Sequence, residues 1–287
     1  MYHALKYGFR IATLNFKLWG MLYLVNLLFA GLVVVPLLYY LGDKLAFTKA
    51  TDRLIGGFDF TLFNDFLNQY PEFLSLMSTQ TAMIGLLFTL LYIFLNGGIL
   101  TRIKNYETDI HRLENFWMGC GKYFWRLLRL TIYFLIIHLM IALIFIIIFN
   151  LSIKGGLERF ASEADIFSRA KWCLLGYVIT ALFFFMVQDY AKVMIVARDR
   201  RWIFQEFWGA FGLVIKNIGK TYGLYLLLFG IFIVLSVLYG QLNGWIHQAG
   251  IPALILFLIG QVYVLLQIGF KLVNLGVVTA VFRQTKK

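Results

Sequence analysis

The residues in this chain that could do chemistry are few, and most lie inside apolar sequence. Asp189 is the only acid within any of six long apolar runs. Lys192 follows it three residues later, a spacing at which two side chains meet along one helix face. Gln267, Lys271 and Asn274 recur at i, i+4 and i+7, a polar stripe on an otherwise apolar helix, with Gln261 further along. His138 stands near the middle of another run, and Arg102 follows the sequence Asn-Gly-Gly-Ile-Leu-Thr at 96–101. Charged and strongly polar groups are costly in hydrocarbon, so each is a functional candidate, although many such residues only join helices.

Each candidate therefore has two readings. Asp189 is either a binding carboxylate or half of a structural ion pair, with Lys192 on its own helix or with Lys271 or Arg102, which stand at similar depth on other helices. Asp199, by contrast, is expected in water. Lys271 either holds an anionic lipid or solute or extends its long side chain toward the interface. His138 either relays protons or donates a hydrogen bond between helices. The Gly97-Gly98 pair is either a hinge or a place where another helix comes close.

Other chemistries leave no trace. There is no phosphate-binding glycine loop, no G-x-S-x-G, no H-E-x-x-H and no carboxylate pair placed for hydrolysis, so no enzyme activity and no cofactor are expected. The four histidines fall in four different segments, and Cys120 and Cys173 fall near opposite faces of the membrane by the span assignment, so neither a metal site nor a disulfide is expected.

The elements that must position these residues are legible from the runs themselves. They cover roughly 18–41, 82–101, 127–151, 172–196, 221–242 and 252–281, each matching or exceeding the about 20 residues a helix needs to cross a bilayer. The first is too long for a cleavable signal peptide and is read as a retained span. Hydrophobic residues make up 61% of the chain and charged ones only 14%, where soluble domains carry roughly a quarter. The net charge of +12 sits beside the spans among Trp and Tyr, which suits phospholipid headgroups and not a nucleic-acid groove. Segments 1–17, 102–129, 192–220 and 283–287 hold 18 Lys and Arg, against 7 in the alternate segments. The positive-inside rule then puts both termini in the cytoplasm. All seven tryptophans lie at or between span ends, where an indole prefers to sit.

Three segments on the basic side, 4–16, 113–128 and 202–216, mix aromatic, aliphatic and basic residues as surface helices do. In the third, Phe204, Phe207, Trp208 and Phe211 share one helical face, and with Trp202 they are expected at the membrane surface. Phe116-Trp117 and Phe207-Trp208 are each followed by a glycine at the same offset, Gly121 and Gly212. This suggests three repeat units, about 1–104, 105–197 and 198–287, within one integral membrane domain. On the other side, Phe63, Phe66, Leu67 and Tyr70 predict a short helix, which Pro71 either breaks or follows by starting a second, with Glu72 in that first turn.

With Asn-Gly-Gly-Ile closing the second span and Asp-Tyr-Ala-Lys closing the fourth, the chain resembles a broad set of bacterial six-span membrane proteins. The membrane domain fused to some glycerophosphodiester phosphodiesterases is among them. The resemblance implies a bacterial inner-membrane location and carries no enzymatic residue, because the catalytic domain is absent. The expectation is an all-α, six-span protein with three cytoplasmic-side surface helices. It is expected to act as a non-enzymatic accessory component binding membrane lipids, their anionic headgroups, or a membrane-protein complex. The competing reading is a transporter or lipid-handling protein using the polar inner half of the bundle.

Overall fold

A lipid-exposed backbone has to bond its own amides, and long apolar sequence does so as helix. The computed structural model describes residues 1–45, 60–106, 113–153, 163–248 and 253–285. Every element among them is an α-helix: α1 (Tyr2–Leu14), α2 (Phe16–Leu45), α3 (Phe60–Gln69), α4 (Glu72–Lys104), α5 (Leu113–Ser152), α6 (Glu163–Arg198), α7 (Ile203–Lys216), α8 (Ile218–Gln248) and α9 (Ala253–Thr285). Six of these, α2, α4, α5, α6, α8 and α9, are long and apolar enough to span a bilayer. Only 11% of the most apolar window of α5 is buried inside the protein, and Leu139, Leu143 and Ile146 lie exposed along it. Contiguous apolar surface on that scale is incompatible with water and suited to lipid.

The helices fall into two compact units, Lys17–Ile93 and Met1–Phe16 with Phe94–Lys287. The repeat units expected from sequence cut the chain differently. In the first unit, Phe66 of α3 and Phe73 of α4 are buried together, with Leu37, Tyr40 and Leu41 of α2 around them. The Phe66 and Phe73 rings meet edge to face at 5.0 Å, a geometry that adds attraction beyond area burial. Tyr70 and Pro71 separate α3 from α4, and Glu72 occupies the first turn of α4, as the sequence predicts.

In the second unit the core lies at one end of the bundle, where most of its basic residues gather; we term it the basic end. Residues 186–188, 190–191 and 193–196 of α6 are all buried, as are residues 275–282 of α9. Shorter helices pack around them: α1 lies on α9 and α7 on α6. Both chain ends belong to this end of the bundle. The Arg283 guanidinium stands 5.7 Å from the Tyr7 ring of α1.

Close backbone approach explains three of the glycine positions. A Cβ on Gly8 would lie 2.7 Å from the Val273 carbonyl oxygen, and one on Gly276 would lie 2.8 Å from the Gly8 Cα. On α4, a Cβ on Gly97 would lie 2.7 Å from the Gly119 carbonyl oxygen of α5. Gly97 and Gly98 therefore sit in continuous helix at a tight contact, the second of the two readings the sequence allowed.

One expected element differs. Segment 113–128 is not a separate surface helix but the beginning of α5, which runs 40 residues without a break. The segments before the first and fifth spans do break, at Asn15 and Asn217. There the side-chain amides donate to the carbonyls of Ile11 (2.8 Å) and Leu213 (3.1 Å), one turn back. Such side-chain bonds compete with helix continuation. The corresponding stretch of α5, residues 125–129, reads Trp-Arg-Leu-Leu-Arg and offers no such competitor.

Candidate functional site

The polar residues of α6, α8 and α9 converge just above the apolar core at the basic end. Asp189 faces out of the buried stretch of α6, its side chain 15% exposed. Lys192 Nζ donates to its Oδ1 at 3.0 Å, and Asn274 Nδ2 of α9 donates to its Oδ2 at 3.0 Å. Tyr225 of α8 interacts with the same carboxylate through its hydroxyl. The carboxylate thus ties α6 to α8 and α9, and its charge is met by one ammonium and neutral donors.

Lys271 lies one turn before Asn274 on the same face of α9, within electrostatic reach of both Lys192 and Asp189. Beside it is a cavity of about 240 Å³ between α8 and α9. Gln267, Lys271, Asn274 and Tyr225 supply its polar wall, and Phe229, Phe232 and Phe270 its apolar one. Bases outnumber acids in this cluster, two lysines to one aspartate, and neither α8 nor α9 contains an acid. Such a place suits an anionic group carrying an apolar body.

The remaining candidates lie elsewhere. Arg102 Nε donates to Asn15 Oδ1 at 2.6 Å, which ties the end of α4 to the C-terminus of α1 and leaves Arg102 out of the Asp189 cluster. His138 stacks on Phe185 with ring centroids 4.1 Å apart, and its nitrogens are buried with no hydrogen-bond partner among the described residues. Trp202, Phe204 and Trp208 are exposed and Phe211 is half-buried. Phe207 differs from the expectation. It is buried inside the protein against Tyr133 and Phe134 of α5, so it contributes to the core and not to an outward surface.

The contacts of three polar residues were not legible in the sequence. Glu206 is fully buried in the first turn of α7, with Arg198 Nη1 at 3.2 Å from Oε2 and Arg200 Nε at 3.7 Å from Oε1. Its position in a first helical turn was visible, but its burial was not. Asp199 is exposed, as expected, and Lys122 Nζ (2.6 Å) and Arg126 Nη1 (2.7 Å) of α5 both reach its carboxylate. Tyr225 stands in an aromatic and aliphatic run with nothing local to single it out.

No protein-family model, curated protein or solved structure matches this chain. Its class rests on its own architecture: six long apolar helices, open to lipid along most of their length, define a multi-pass α-helical membrane protein.

Proposed function

We propose that the protein is a non-enzymatic component of a bacterial inner membrane that binds anionic lipid, with its basic end in the cytoplasm. The observation that carries this reading is the α8–α9 pocket, where Lys271, Gln267 and Asn274 face phenylalanine rings beside a cluster in which bases outnumber acids. A phospholipid offers the matching pair, an anionic headgroup and an apolar chain. Exposed Trp202, Phe204 and Trp208 then rest in the same leaflet, the expected preference of amphipathic aromatic residues.

The transporter reading draws less support. Beyond the pocket toward the basic end, the buried side chains are mainly apolar, Val193, Met194, Ile195 and Val196 on α6 and Val277, Val278 and Val281 on α9, with Thr279 the one buried polar residue of α9 among the described residues.

Thermal unfolding of the purified protein in neutral detergent tests the proposal. Adding phosphatidylglycerol should raise the midpoint by several degrees more than phosphatidylcholine, and Lys271→Met should remove that difference while Lys271→Arg keeps it. Equal shifts with both lipids in the wild type would refute the reading.

A further inference from the structure

One cavity belongs to neither the Asp189 cluster nor the basic end. It measures about 590 Å³ and lies between α5 and α6 toward their far ends. That volume is within the roughly 300–1,000 Å³ of small-molecule sites. Phe145, Ile146 and Phe149 of α5 and Phe167, Leu174 and Tyr177 of α6 line it. The helices touch at one edge, where a Cβ on Gly176 would meet the Phe145 ring at 2.8 Å. Ala142 and Ala170, both lining the space, are too small to fill it.

Among the described residues of this lining, Lys171 is the only charged one, and its neighbour Trp172 is 66% exposed on the outside of α6. An exposed indole beside a lysine at a span end marks the headgroup level of the bilayer. From there the lining runs inward to Ala142 on α5 and Tyr177 on α6, about 10 Å at 1.5 Å per residue. The space is thus an apolar slot that begins at headgroup depth under one ammonium and extends toward the bilayer midplane.

We propose that this slot binds a hydrocarbon chain whose anionic head is held by Lys171. A neutral chain gains little on moving into it from lipid, which is already apolar, so selectivity must come from the slot's shape and the Lys171 charge. The head is a carboxylate or a phosphate, so the ligand is a free fatty acid or an anionic phospholipid. The site is separate from the α8–α9 pocket, and its test does not depend on the function proposed above.

Cys173 lines the slot and Cys120 is buried in the protein core, which provides a built-in assay. The rate of alkylation by N-ethylmaleimide is followed at each cysteine by peptide mass spectrometry in neutral detergent. Palmitate should slow labelling of Cys173 saturably, by about tenfold, while the equally long neutral hexadecanol has little effect. Lys171→Met should abolish most of the palmitate protection and Lys171→Arg should keep it. Ala142→Trp, which fills the slot, should remove it as well, and continued inertness of Cys120 shows that each variant is folded. Lys271→Met should leave the protection intact. Phosphatidylglycerol protecting as well as palmitate would identify a phospholipid as the ligand; protection by palmitate alone would identify a fatty acid. Equal protection by palmitate and hexadecanol, or palmitate protection that survives Lys171→Met, would overturn the proposal.

Discussion

Asp199 has a left-handed backbone, φ 54°, at the corner between α6 and α7, a conformation that short polar side chains tolerate better than most. The corner directs its carboxylate at two bases of α5. The Lys122 hydrogen bond foremost, aided by Arg126, outweighs partial desolvation and holds the carboxyl down at about 2. A group whose folded value lies below its ordinary 3.8 stabilises the fold fully above about pH 4 and loses that contribution as pH falls toward 2. The side chain is 43% exposed, so solvent screening limits each pair to at most about 1 kcal/mol. Asp199→Asn should therefore lower the unfolding midpoint slightly at about pH 6, and the deficit should shrink by about pH 2.5. A deficit that does not change with pH would count against the ion pairs. Asp189→Asn should cost more than Asp199→Asn at neutral pH. Its carboxylate is only 15% exposed, and stranding one member of a buried pair typically costs about 3–5 kcal/mol. Equal losses in the two variants would mean that water, not Lys192 and Asn274, satisfies Asp189.

Among the helices, the contact between α1 and α9 is set by backbone proximity. Gly276 faces the Gly8 backbone, and Gly8 faces the Val273 carbonyl and the short, branched Val277 side chain, so no long side chain stands there to swing aside. Gly8→Ala and Gly276→Ala should each destabilise by about 1–3 kcal/mol, the usual cost of overpacking. Gly121 lies inside α5 with nothing within 4 Å of an added Cβ, so Gly121→Ala should stabilise by up to about 1 kcal/mol through helix propensity. Chemical or thermal unfolding of the three variants decides this, and destabilisation by all three would show that glycine is needed for reasons other than contact. The Phe207 side chain shows why this level was only partly legible. Helical spacing correctly grouped it with Phe204, Trp208 and Phe211, but periodicity identifies a shared face and not what that face meets. The burial of Glu206 and the breaks at Asn15 and Asn217 depend on single side-chain bonds, which run length and charge counts do not register.

For the molecule as a whole, the six spans and the all-helical class were readable because bilayer thickness imposes a length on apolar sequence. The gathering of Asp189, Lys192, Lys271 and Asn274 was half-readable. Their stripes were visible on each helix, but Tyr225 joined them and Arg102 left them through tertiary packing that no local pattern encodes. Both chain ends lie at the basic end of their unit, and the 18-to-7 division of basic residues predicts which side of the membrane that is. Reporter fusions after Lys287 and within 42–81 should report cytoplasm and exterior respectively, and an exterior signal from the C-terminal fusion would invert the topology. We propose that the α8–α9 pocket holds an anionic lipid, and native mass spectrometry of the protein released from mild detergent reads that binding on the intact chain. The wild type should retain one anionic phospholipid per chain at activation energies that strip phosphatidylcholine, and Lys271→Met should lose it. Retention of both lipid classes to the same extent, unchanged by Lys271→Met, would contradict the claim.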